Sequence, residues 1–136
     1  MAKTVATILG IVLIVVGIAG FIPGMTNIMG THLGKAHNAV HIATGAVSLY
    51  LGAKGSLSAA RTFCLLFGVI YAALGIAGFV AGEAHDHMLN LTALRLFLGT
   101  MDHVIHIAVG ALYLIGGLAT RSGASSSARS AAASST

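Results

Sequence analysis

The chain has 136 residues, of which 57% are hydrophobic and only 7% charged, with a net charge of +4 and a mean hydropathy of +0.95. Soluble domains carry roughly 25% charged residues, so these few charges cannot coat a water-facing surface, and the composition excludes an ordinary soluble domain. The seven basic residues lie singly along the chain, which excludes the clustered patch of a nucleic-acid-binding protein.

Four apolar segments follow in chain order: Thr4–Ile22, His37–Ala53, Arg61–Ala81 and Met101–Thr120. Each approaches the roughly 20 residues that a membrane span needs. The first follows Met1-Ala2-Lys3 and looks like a secretory signal, but its pattern recurs in mid-chain, so it reads as a retained helix. Pro23 and Gly24 end it. The second and fourth segments begin with polar residues. Between the third and fourth, Met88–Leu98 is apolar around Arg95 and too short to span. It is expected to lie at the interface as an amphipathic turn or short helix. Cys64 has no cysteine to pair with and is expected to pack as a small hydrophobe.

The sequence repeats itself. Gly10–Gly24, GIVLIVVGIAGFIPG, matches Gly68–Gly82, GVIYAALGIAGFVAG. Leu33–Ala46, LGKAHNAVHIATGA, matches Leu98–Ala111, LGTMDHVIHIAVGA. The first pair is offset by 58 residues and the second by 65, so the loop of the second copy is seven residues longer. Each copy is a helical hairpin, and two hairpins in tandem run in the same direction. The expected fold is all-α: a four-helix transmembrane bundle built from two parallel helix-hairpin repeats, residues 4–54 and 61–120, within a domain spanning 1–121. The Ser- and Ala-rich stretch 122–136 is expected to be a disordered tail.

Glycines recur seven apart in every segment: Gly10 and Gly17, Gly45 and Gly52, Gly68 and Gly75, Gly110 and Gly117. Two helical turns separate the members of each pair, so each pair marks one face. In lipid, helices approach closely where side chains are small, and these eight residues are the expected packing surfaces. Gly20 to Gly24 and Gly78 to Gly82 add GxxxG spacings at the helix ends.

Charge asymmetry gives an orientation. Lys3, Lys54, Arg61, Arg121 and Arg129 fall on one side of a four-span chain, and Lys35 and Arg95 on the other with all three acids. Positive-inside bias then puts both termini in the cytoplasm, with the protein expected as a multi-pass component of a bacterial inner membrane.

All seven histidines fall in the outer half of this arrangement. His41 corresponds to His106, Asn38 to His103 and His37 to Asp102. His37 and His41 are four residues apart, as are Asp102 and His106, so each pair shares a helix face. Polar groups inside a span need partners. The simplest reading is a polar clamp in which His41 and His106 bond across the bundle, with Asn38, Asp102 and His103 as further partners. The sharper alternative is metal or haem ligation by His37, His41, His103 and His106, with Asp102 as ligand or orienting acceptor. A proton or ion path is poorly supported, because nothing polar continues inward past Thr44 and Ser48. No activated nucleophile, phosphate loop or carboxylate pair points to an enzyme.

The motifs His37-Asn38-Ala39-Val40-His41 and Asp102-His103-Val104-Ile105-His106, each before a helix glycine, make residues 5–118 resemble a bacterial family of small four-helix membrane proteins known only as a domain of unknown function. The resemblance implies His-Asn-x-x-His on the second helix and Asp-Asn-x-x-His on the fourth, with Asn38, His41, Asp102 and His106 as family positions and His103 as a departure from Asn. It implies a fold and a membrane location but no activity. The expected function is that of an accessory or interaction module in the lipid bilayer, contacting a membrane-protein partner or a second copy and no nucleic acid. A metal- or haem-binding membrane protein is the alternative.

Overall fold

A computed structural model describes residues 1–27, 30–83 and 85–120. Four helices dominate it: α1 (Ala2–Ala19), α2 (Lys35–Ala53), α3 (Leu57–Ala81) and α4 (Thr100–Leu118). The stretch 122–136, expected to be a tail, lies outside the described residues.

α1, α3 and α4 are long and apolar enough to cross a membrane. Their outward faces are apolar: Ile8, Val12 and Val15 on α1, Leu66, Val69 and Val80 on α3, and Leu112, Ile115 and Leu118 on α4 are all exposed. Such faces suit lipid contact. α2 has the length but is too polar by composition to count with them, which departs from the expectation of four apolar spans. The reason is visible in its burial. His37, Asn38, His41, Thr44 and Ser48, which lower its hydropathy, are all buried, while Val40, Val47 and Tyr50 face outward.

Lipid tails are as apolar as leucine, so burying apolar side chains between helices gains little, and close packing and hydrogen bonds must hold the bundle. α1 packs along α2, and α3 along α4, through glycines. A Cβ on Gly10 would lie 2.6 Å from the Leu49 backbone nitrogen, and one on Gly45 would lie 2.8 Å from the Gly10 carbonyl. In the second copy, a Cβ on Gly68 would lie 2.9 Å from Leu114 N and one on Gly110 2.8 Å from Gly68 O. Gly52 meets Thr7 and Lys3, and Gly117 meets Leu65. Gly17 approaches Asn38 O and Ile42, while Gly75 approaches His103 O and Ile107, which are corresponding residues in the two copies. Gly24 does no packing. Nothing lies within 4 Å of its Cβ position, and its φ of +86° makes it a turn residue after α1.

The two hairpins meet through α1, which touches both α3 and α4. Ala2, Ala6, Leu9 and Leu13 face Ala60, Phe63, Cys64, Tyr71 and Tyr113 in one buried cluster. α2 and α4 face each other across side chains. Hydrogen bonds close the end holding the N-terminus. Ala2 N–H donates to Thr120 Oγ1 at 2.7 Å, and Arg61 Nε donates to the Gly117 carbonyl at 3.2 Å. Ser56 caps α3 by accepting from Ala59 N–H at 3.1 Å.

The segment Met88–Leu98 is neither a turn alone nor a short helix. It forms an antiparallel pair, β1 (Leu89–Leu91) and β2 (Leu96–Leu98), joined through a 3-10 turn over Thr92–Leu94. Its pattern has period two: Leu96 and Leu98 are buried, and Phe97 between them is exposed. An amphipathic strand reads this way. Arg95, at φ 52° and ψ 36°, reverses the chain between the 3-10 turn and β2.

Candidate functional site: a buried histidine trio

The site sits where α2 and α4 begin, beneath the hairpin. Gly34 and Gly99 start the two helices, and the third residue of each points differently. On α4 that residue is Asp102. Its Oδ2 accepts the Gly99 N–H at 2.9 Å and the His32 N–H at 3.0 Å, and Oδ1 accepts the same His32 amide at 3.2 Å. The His32 ring lies 3.4 Å from the same carboxylate. Asp102 therefore caps its own helix and ties the loop of the first copy to it. On α2 the corresponding residue is His37, which turns inward. Its Nδ1–H donates to the His32 carbonyl at 2.9 Å.

One turn deeper lies His41, and His106 sits at the corresponding place on α4. The ring centres of His37 and His41 are 4.3 Å apart, those of His37 and His106 5.6 Å, and those of His41 and His106 6.2 Å. All three side chains are buried, and one ring nitrogen from each lies within 4.8 Å of the others. His106 Nδ1–H donates to the Asp102 carbonyl. These two bonds to backbone carbonyls fix the tautomers of His37 and His106, so Nε2 carries the lone pair in both rings. His37 Nε2 and His41 Nδ1 are buried without a hydrogen-bond partner among the described residues. Tyr71 on α3 stacks on His106 at 5.3 Å. A cavity of about 80 Å³ touches all three rings, with Thr44 and Tyr71 in its wall and Leu96 and Leu98 of the hairpin over it.

Asn38 and His103 lie elsewhere. Asn38 fills the seam between α1 and α2, against Gly20, and its Nδ2 donates to the Leu33 carbonyl at 3.1 Å. His103 fills the equivalent seam between α3 and α4, against Gly78, and its Nε2–H donates to the His87 carbonyl at 2.7 Å. Its ring meets Phe79 at 5.5 Å and is not one of the three that converge. Each of these residues pins a loop to a helix start. The matched glycines Gly20 and Gly78 were the sequence signal for this role, since a Cβ on either would overlap the side chain opposite. Of the remaining histidines, His85 is exposed and His87 packs its ring on Phe79 at 5.5 Å.

Asp102, read as ligand or orienting acceptor, reaches the trio only through its backbone. Its carbonyl orients His106 while its carboxylate is fully used by His32 and Gly99. Neither a curated protein nor a solved structure matches the chain. A family model does, over residues 3–119, so the chain belongs to the family described as a domain of unknown function, DUF4383.

Proposed function

We propose that this protein is a multi-pass integral membrane protein that binds one transition-metal ion through His37, His41 and His106. The observation that carries this reading is the convergence of three buried imidazoles, two of them held by backbone carbonyls with Nε2 free. Metal-ligating histidines characteristically donate their other ring nitrogen in this way. Zinc–nitrogen bonds of about 2.0 Å in a tetrahedron put ligand atoms about 3.3 Å apart. The trio, within 4.8 Å, would need to close by at most about 1.5 Å. A polar clamp is the weaker account, because no hydrogen bond joins these rings and two of their nitrogens are left without partners. An unpartnered buried polar atom costs about 1–3 kcal/mol, a cost an ion would offset. Imidazole suits zinc, copper, iron and nickel alike. Haem is disfavoured, since about 80 Å³ holds two or three waters and not a macrocycle.

The accessory-module reading stands beside this one, supported by the four helices, which hold most of the described residues, and by the short 54–56 link between α2 and α3. An ion-binding chain of this kind would serve a partner in the membrane rather than act alone. Elemental analysis of protein purified in detergent tests the metal reading. About one ion per chain is expected, lost in His41→Ala and His106→Ala. Protein that arrives without metal and takes up no added zinc, cobalt, nickel or copper would overturn it.

A further inference from the structure

We propose that a second site, at the hairpin end of the bundle, binds the phosphate of an anionic phospholipid headgroup. The two copies of the repeat differ at the starts of α2 and α4. In the second, the Asp102 carboxylate sits at the start of α4 and accepts the Gly99 amide at 2.9 Å. In the first, the corresponding residue is His37, whose ring turns inward, and α2 begins at Gly34 with no side-chain cap. A helix start favours an anion, through its free amides and its dipole. The copy that carries its own anion has the position filled by a side chain, and the copy that lacks one has a cavity there.

That cavity has a volume of about 490 Å³, and Phe21, Leu33, Lys35, His37, Arg95 and Phe97 line it. The volume falls within the usual range for small-molecule sites. Lys35 and Arg95 are the two basic residues of this end of the chain, one from α2 and one from the hairpin, and both reach this single pocket. Neither side chain has an ion-pair or hydrogen-bond partner among the described residues. No acidic residue lines the pocket. Asp102 is engaged by His32 and Gly99, and Glu83 and Asp86 lie outside it. Two unpaired cations, an uncapped helix start and the absence of acid call for an anion.

The remaining walls identify its source. Phe21 and Phe97 are 51% and 48% exposed, and they stand at the end of α1 and on the hairpin, where the membrane-capable helices stop. Exposed phenyl faces there suit an acyl chain lying beside the headgroup. An anion attached to an apolar tail satisfies both the cations and the aromatic walls. A freely soluble phosphate would satisfy only the cations. Arginine and lysine at two corners also favour a phosphodiester without a compensating positive group. The pocket shares His37 with the trio but needs no metal, so the two sites stand or fall separately.

Native mass spectrometry of the full chain in detergent tests this, with phosphatidylglycerol, phosphatidylcholine and inorganic phosphate as probes. One phosphatidylglycerol per chain is expected, with phosphatidylcholine at least tenfold weaker. Charge-assisted contacts of this kind carry about a factor of ten or more each, so Lys35→Gln and Arg95→Gln should each weaken binding by that much. Lys35→Arg and Arg95→Lys should keep most of it, and Lys54→Gln, at the other end of the bundle, all of it. Both pocket cations are exposed, so thermal unfolding should be unchanged in every variant. Equal binding of the two lipids would overturn the proposal. So would undiminished phosphatidylglycerol binding in the double Gln variant. Inorganic phosphate that binds as tightly and displaces the lipid would assign the anion to a soluble source and overturn the lipid assignment.

Discussion

Ser48 and Tyr113 correspond to each other in the repeat, and their hydroxyls lie 2.8 Å apart across the bundle. Ser48 Oγ–H also donates to the Ala6 carbonyl at 2.8 Å, so Tyr113 O–H is the donor to Ser48. Tyr113 is completely buried, as is Ser48. The bond joins α2 to α4, and through Ala6 to α1, tying the two hairpins together in the apolar middle of the bundle.

The order of donation makes the two removals unequal. Tyr113→Phe leaves Ser48 still bonded to Ala6 and should cost about 0.6 kcal/mol, the average for an interhelical bond in lipid. Ser48→Ala strands the Tyr113 hydroxyl and should cost more, about 1–3 kcal/mol. Equilibrium unfolding in mixed micelles measures both. The double variant should cost less than the two single costs added, because the pair shares one bond. A Tyr113→Phe cost larger than that of Ser48→Ala would refute this order of donation.

Glycine packing gives a second contrast. A Cβ at Gly75 would lie 2.6 Å from the His103 carbonyl, a backbone atom that cannot rotate away. Gly75→Ala must therefore spread α3 from α4, and overpacking of this kind costs about 1–3 kcal/mol. At Gly34 nothing lies within 4 Å and φ is −67°, so Gly34→Ala meets no clash and should cost only alanine's deficit as an N-cap, about 0.5 kcal/mol. Thermal unfolding in detergent distinguishes them. Equal melting temperatures for the two variants would remove the close-approach argument.

Much of this arrangement is legible in the sequence. Four helices, their tandem pairing and the correspondence of His41 with His106 follow from apolar runs and matched motifs. Three features are not legible. The helical spacing of His37 and His41 resembles that of Asp102 and His106, yet His37 turns in and Asp102 turns to cap its helix. That difference depends on His32, which supplies a carbonyl to one and an amide to the other from a loop that spacing does not describe. Asn38 and His103 lie one residue from His37 and Asp102, and a helix turns about 100° per residue, which swings them into the hairpin seams. The strand pair at Leu89–Leu91 and Leu96–Leu98 is hidden by its shortness, since three residues of alternation are too few to separate a strand from a helical turn.

Orientation in the membrane is open to direct test. If α2 crosses with the others, Thr26 and Asn90 lie on one side and Ser56 on the other, and the basic asymmetry puts Ser56 in the cytoplasm. Single cysteines introduced into a Cys64→Ala background report this in intact cells. An impermeant maleimide should label positions 26 and 90 and leave 56 unlabelled until the membrane is opened. Labelling of position 56 from outside would reverse the orientation, and labelling of all three would remove the α2 span.

The histidines allow the sharpest separation of roles, because ligation and loop-pinning fall on neighbouring residues. His106→Ala removes a ring of the trio, whereas His103→Asn replaces a ring in the α3–α4 seam with the residue its counterpart Asn38 carries in the α1–α2 seam. Cobalt(II) bound in detergent gives a visible spectrum that reads occupancy independently of stability. His103→Asn should keep that spectrum, and His106→Ala should lose it while the helical content remains. The pH dependence has a fixed sign. A ligating imidazole must be neutral, and protons compete with the ion for its lone pair. Cobalt affinity should therefore fall on acidification and never rise. A spectrum lost in His103→Asn but retained in His106→Ala would move the ion out of the bundle centre and into the α3–α4 seam.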